Sequence, residues 1–243
     1  METPLKRINK YLSEAGYCSR READRLIEER AVTINGKIPE MGTKVAPSDE
    51  VRVKGKLVTE PKSDFVYLAF HKPRGIVCTT DTRREKDNII DYINYPERIF
   101  PIGRLDKYSE GLIFLTNDGD IVNKILRARN NHEKEYIVRL NKPIKGDFIQ
   151  KMANGVPILD TVTKKCYVEQ LGKETFKIIL TQGLNRQIRR MCEYFDYKVA
   201  SLKRIRIMNV KLDIEKGKWR YLSESELKEI NQLVSNSSKT YDN

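Results

Sequence analysis

A polar stretch at residues 54–64, holding Gly55 and Pro61, divides the apolar patterning of this chain into a short leading part and a long following part. Ahead of it, Leu5, Ile8, Leu12 and Ala15 recur at helical spacing and predict a first helix. Ser19 and Glu22 form a capping-box pattern that starts a second helix, with Ala23, Leu26 and Ile27 as its buried stripe. Asn35-Gly36, inside residues 32–38, is a tight-turn signal between strands, and residues 49–53 read as one more strand. Roughly 55 residues is the low end for an independent domain.

After the break, strands and helices alternate irregularly. Strands are predicted at residues 65–70, 112–116, 136–140, 175–181 and 205–212, and helices at 120–127, 185–195 and 224–233. Ser223 and Glu226 supply a second capping box. This mixture predicts an α+β fold. The domain reading is a small unit at 1–56, a linker at 57–64, a larger unit at 65–234 and a polar, disordered tail at 235–243.

Hydrophobic residues at 39% and charged residues at 33% describe a folded chain with a heavily charged surface. The formal net charge of +12 favours polyanionic partners, nucleic acid or an anionic membrane. No run approaches bilayer-spanning length, and residues 1–10 are charged throughout with no apolar leader stretch, so no membrane role is expected. Cys18, Cys78, Cys166 and Cys192 are scattered and read as reduced cytoplasmic thiols. His71 and His132 are far apart, so no metal and no cofactor are expected. Residues 183–211 alone hold eight basic and two acidic side chains, half of the whole surplus, and a phosphate backbone is their natural complement.

Three runs of the leading part are Arg7-Ile8-Asn9-Lys10-Tyr11-Leu12, Cys18-Ser19-Arg20-Arg21-Glu22-Ala23-Asp24 and Val32-Thr33-Ile34-Asn35-Gly36-Lys37. Together they resemble the S4 RNA-binding domain. The resemblance implies RNA contacts from Arg7, Lys10, Arg20, Arg21, Asn35, Gly36 and Lys37. Arg20 and Arg21 stand at a helix start whose free N–H groups also favour phosphate. The plain alternative is that Arg20, Arg21 and Arg25 pair with Glu22, Asp24 and Glu28 on the helix surface.

In the larger part the deciding run is Gly103-Arg104-Leu105-Asp106-Lys107-Tyr108-Ser109-Glu110-Gly111-Leu112, followed by Ile113-Phe114-Leu115-Thr116-Asn117-Asp118-Gly119. An aspartate in a loop is ordinarily an Asx turn or a surface ion pair. Here two glycines permit tight backbone, and Leu105 and the run Leu112 to Leu115 anchor both sides in a core. With His132-Glu133-Lys134-Glu135-Tyr136 and Gly183-Leu184-Asn185-Arg186-Gln187-Ile188-Arg189-Arg190-Met191-Cys192, this run resembles the RsuA-like ribosomal pseudouridine synthases, most nearly the members acting on 23S rRNA.

The resemblance implies a mixed, mainly antiparallel catalytic sheet. It makes Asp106 the catalytic carboxylate, Tyr136 the ring that stacks on the target base, and Arg189 the partner of Asp106. Arg104, Lys107, Asn185, Arg186, Gln187 and Arg190 are then candidates for RNA contacts. The implied partner is RNA, 23S rRNA with a tRNA anticodon loop as a further target, bound by a monomer. A competing reading is a non-catalytic S4-type RNA-binding protein in ribosome assembly. A DNA-binding regulator lacks any recognition-helix dimer pattern.

Overall fold

The computed structural model describes residues 5–59, 64–81, 85–126 and 131–235, and the chain forms two compact units, residues 1–65 and 66–243. The expected tail beyond residue 235, and residues 60–63 of the expected linker, lie outside the described residues. Among the described residues no helix is long and apolar enough to cross a membrane.

In the first unit, strand β1 (Lys6–Arg7) leads into helix α1 (Ile8–Glu14), and helix α2 (Arg20–Glu28) follows. Ile8 and Leu12 are buried as their spacing predicts, but Leu5 precedes the helix and is 57% exposed, so the apolar stripe starts at Ile8. Ser19 caps α2, its Oγ accepting from the Glu22 N–H at 3.2 Å. Strands β2 (Val32–Ile34), β3 (Lys44–Val45), β4 (Val51–Val53) and β5 (Lys56–Val58) follow. β2, β4 and β5 form an antiparallel sheet, while β3 pairs with β1. Asn35 and Gly36 both have positive φ, 49° and 78°, the geometry of a mirror-image hairpin turn that glycine and asparagine tolerate best. Residues 56–58, read from sequence as the edge of a linker, are a third strand because Val58 fills the core beside Val51 and Val53.

The second unit is built on a nine-stranded sheet. In chain order its elements are β6 (Tyr67–Lys72), α3 (Ile89–Ile93), β7 (Phe100–Ile102), β8 (Glu110–Thr116), α4 (Gly119–Leu126) and β9 (Lys134–Leu140). Then come α5 (Phe148–Ala153), the hairpin β10 (Pro157–Ile158) and β11 (Thr161–Val162), β12 (Tyr167–Gln170), β13 (Thr175–Leu180) and α6 (Gln187–Tyr194). The chain continues through β14 (Val199–Ile207), β15 (Val210–Lys211), β16 (Trp219–Tyr221) and α7 (Glu224–Val234).

The main strand order is β12-β13-β9-β14-β8-β6-β16, with β15 on β14 and β7 on β8. Every pairing is antiparallel except β14 with β8, so the expected mixed, mainly antiparallel α+β architecture is what the chain forms.

The sheet is covered on both faces. One face packs Leu68, Phe70, Ile113, Val138 and Leu202 against α3, α5 and α6. The other packs Ala69, Leu112, Phe114 and Ile207 against α4 and α7. Leu112 to Leu115 is a continuous apolar run because β8 is buried on both sides, whereas β9 buries alternate residues, Tyr136, Val138 and Leu140. Each such side chain contributes about 1.5–3 kcal/mol of burial against the chain's entropy. The strand predicted at 205–212 is divided: β14 begins at Val199, and the chain reverses at Met208, whose φ is +51°. Methionine is a poor turn signal, which hid the reversal from the sequence.

Candidate active site

Asp106 lies on the loop between β7 and β8. The loop opens with Gly103 at φ +81°, and the buried Leu105 donates its N–H to Cys78 Sγ at 3.4 Å. The Asp106 carbonyl accepts from the Ser109 N–H at 3.0 Å, and the Lys107 carbonyl from the Gly75 N–H at 2.7 Å. Beneath it sits Lys72, fully buried at the end of β6. Its Nζ donates to the carbonyls of Pro73 at 2.9 Å, Ser109 at 2.8 Å and Asp106 at 3.3 Å. A buried ammonium demands such partners, and the Asp106 and Ser109 carbonyls belong to the loop that presents Asp106. Burial pushes the Lys72 ammonium down to about 8, with Cys78 and Asp106 acting against the fall.

Arg189 projects from α6, beside the buried face of Ile188, Met191 and Cys192. Its Nη2 donates to Ser109 Oγ at 3.2 Å and its Nη1 to the Val199 carbonyl at 3.3 Å. Its Nε stands 3.5 Å from Asp106 Oδ2, an ion pair without an aligned hydrogen bond. Tyr136, on β9, is 8% exposed and sits opposite Arg204 of β14, whose guanidinium carbon is 6.0 Å from the ring centroid.

Asp106, Tyr136 and Arg189 all line one cavity of about 860 Å³. Arg104, Lys107, Asn185, Arg186 and Gln187 line it too, whereas Arg190 does not and instead donates to Asn185. Arg186 adopts φ +51°, so α6 starts at Gln187 and not at the predicted residue 185. Gln187 lines the cavity from a buried position. It is 4% exposed, and its side-chain oxygen accepts from the Leu184 N–H at 3.0 Å, so it closes the loop from within.

In the first unit, Arg7, Arg20, Arg21, Asn35, Gly36 and Lys37 are exposed. Lys10 pairs with Glu14 at 3.3 Å. Arg25 pairs with Glu22 and Glu29, so the surface ion pairs foreseen for this helix involve Arg25. Asn35 Nδ2 donates to Asp49 Oδ1 at 2.8 Å while its Oδ1 accepts from the Glu50 N–H at 2.9 Å, which fixes the turn.

Sequence reading missed four residues of the site: Lys72, Ser109, Lys134 and Arg204. Lys72 stands in the sequence His71-Lys72-Pro73-Arg74-Gly75, where β6 ends. Its burial in the strand run Leu68-Ala69-Phe70 was the available signal.

Six cations and a single carboxylate line a cavity large enough for a nucleotide, with a tyrosine ring on its wall. The class so defined is an enzyme that works on RNA. A family model described as RNA pseudouridylate synthase matches residues 66–194, and an S4 domain model matches residues 6–51. The dual-specificity RNA pseudouridine synthase RluF of Escherichia coli (strain K12) is 57% identical over 96% of this chain and 80% of its own. The ribosomal large subunit pseudouridine synthase B of Bacillus subtilis (strain 168) is 34% identical over 95% of this chain and 97% of its own. A crystal structure of a pseudouridylate synthase superposes with a TM-score of 0.68 at 29% identity, over 92% of this chain and 99% of that one. The chain belongs to the RNA pseudouridylate synthase family, with an S4 domain at its N-terminus, and is an RNA pseudouridine synthase.

Proposed function

We propose that the enzyme isomerises a uridine of 23S rRNA, with a tRNA anticodon loop as a second target, and that Asp106 carries the reaction with Arg189 and Tyr136. The observation supporting these roles is the Asp106–Arg189 contact at 3.5 Å inside the same cavity as Tyr136. The targets rest on resemblance: one relative is a large-subunit enzyme and another is dual-specific.

A stacked base hides its glycosidic bond, so the uridine must be turned out of the helix. Tyr136 receives the extruded base by stacking, worth about 1–3 kcal/mol. Asp106 drives cleavage of the bond between C1′ and N1, as nucleophile or as base, and either role requires the charged carboxylate. Arg189, 3.5 Å away, fixes the direction of that carboxylate. The freed uracil turns and C5 joins C1′, N1 gains a proton and C5 loses one, and nothing is oxidised or reduced. Exposed Arg104, Arg186 and Asn185 at the rim hold the flanking backbone, and Arg20, Arg21 and Lys37 give the S4 domain its own phosphate contacts. A cavity lined by residues of one chain supports a monomer, and an RNA substrate supports a cytoplasmic location.

Asp106→Asn lowers single-turnover pseudouridine formation by about a thousandfold or more while RNA affinity stays near the wild-type value. Carbodiimide mapping of total RNA from cells with and without the gene identifies the target. Full modification by the variant would reject the role given to Asp106.

A further inference from the structure

Two cations on the cavity wall have no part in holding Asp106. Residues alternate between faces along a strand, so Lys134 and Tyr136 of β9 share a face. Tyr136 pairs in register with Arg204 on β14 and Lys134 with Leu180 on β13. The wall they make also includes Leu202, and all five residues line the cavity.

Arg204 is 3% exposed. Its Nε donates to the Leu112 carbonyl at 2.6 Å, and its Nη2 is buried without a hydrogen-bond partner among the described residues. Lys134 Nζ donates to the His132 carbonyl at 3.3 Å. Burial, with Arg204 adding repulsion, pushes Lys134 down to about 8. Two desolvated cations side by side are costly without an anion. Asp106, the only carboxylate among the described lining residues, is engaged by Arg189.

The geometry points to Lys134 and Arg204 as the site that stabilises the detached uracil as an anion. When the C1′–N1 bond breaks, its electron pair leaves with the base and spreads over N1, O2 and O4. The anion exists only between detachment and the new C5–C1′ bond, so a fixed cation pair favours it over the intact nucleoside. Attack of C5 on C1′ uses that electron pair and removes the charge, and loss of the C5 proton with gain of one at N1 then restores the conjugated ring. The unpartnered Arg204 Nη2 donates to a uracil carbonyl oxygen, and Lys134 acts beside it. This assignment rests on Asp106 and Tyr136 having the roles proposed above.

The test uses total RNA from cells lacking the gene, labelled with tritium at C5 of uridine or grown with 5-fluorouridine. Arg204→Gln lowers single-turnover tritium release by about 100-fold, the typical loss of one preorganised donor, and Lys134→Gln by about tenfold, with RNA affinity retained. Fluorine at C5 stabilises the uracil anion by itself. Both variants therefore lose at least tenfold less on fluorinated RNA, read by mass spectrometry of the carbon-linked fluoronucleoside. Wild-type release from either variant overturns the proposal. An equal loss on both RNAs, the signature of a merely structural role, overturns it too. Should Arg204→Gln fail to fold, the same comparison on Lys134→Gln, a less completely buried position, decides the matter. Asp106→Asn runs alongside: release by that variant would instead break the underlying site assignment.

Discussion

Arg189 is fastened before it meets Asp106. Two of its three nitrogens are taken by Ser109 Oγ and the Val199 carbonyl, leaving Nε toward the carboxylate. Arg189→Ala removes charge and direction together and lowers the single-turnover rate by about 100-fold or more. An unchanged rate would count against the pairing. Lys72 works from the other side, through backbone, and its surroundings add a pH dependence. Facing it are Cys78, Asp106, Glu110 and Arg204, and burial outweighs them all. Lys72 and Lys134 are both held at about 8. As pH rises past 8, Lys72 loses a donor to the Asp106 loop and Lys134 its charge, so the rate of the chemical step declines. A profile flat from below 8 to well above it would contradict this. Stability runs the opposite way. Between about 8 and the ordinary lysine value of 10.5 the unfolded chain binds more protons at these lysines than the folded one. Their contribution to folding therefore rises with pH through that window and is lost as pH falls through 8. The pH slope of the unfolding free energy, compared with that of Lys72→Met, measures it.

Strand β8 carries the strictest backbone demand. Gly111 has φ +116°, and a Cβ there would sit 2.2 Å from the Arg204 carbonyl oxygen and 2.5 Å from its nitrogen. This is where β8 and β14 run parallel, Gly111 beside Arg204, joining the strand behind the Asp106 loop to the strand opposite Tyr136. Gly111→Ala costs about 3 kcal/mol or more, from overpacking against backbone that cannot retreat and from the strained φ. Denaturant unfolding measures the loss, and a variant as stable as wild type would show that the sheet yields there. Helix α7 is a milder case. Ser223 and Glu226 close a complete capping box, as their spacing predicts, and Ile230 and Val234 seat the helix on the core. Ser223→Ala costs about 1 kcal/mol with turnover unchanged. A drop in turnover would connect α7 to the site in a way its packing does not.

For the whole molecule the decisive property is charge. Of the surplus of +12, a net +5 lines one cavity, where among the described residues six cations meet one carboxylate. Binding to RNA therefore weakens steeply with salt as counterions are released. Arg186→Gln, on the exposed rim, reduces the slope of log affinity against log salt by about one and leaves the single-turnover rate at saturating RNA near wild type. A slope unaffected by this change would place the phosphate path elsewhere. The same surplus explains why both units carry exposed basic side chains, Arg20 and Arg21 in one and Arg104 and Arg186 in the other.

Local rules were enough for much of this. The caps at Ser19 and Ser223, the Asn35-Gly36 turn and the doubly buried run of β8 are statements about near neighbours, and a sequence records near neighbours directly. The glycine-flanked loop of Asp106 was legible for the same reason. What only the tertiary structure decided are contacts across long stretches of chain. Lys72 reaches the Asp106 carbonyl across 34 residues and Arg204 reaches Leu112 across 92. Gln187, a candidate RNA contact by sequence, is buried and closes its loop from within. A cation's burial depends on which carbonyls, rings and charges the fold brings around it. Periodicity assigns a side chain to a face but does not say what stands opposite, and in this enzyme what stands opposite sets the charge of the site.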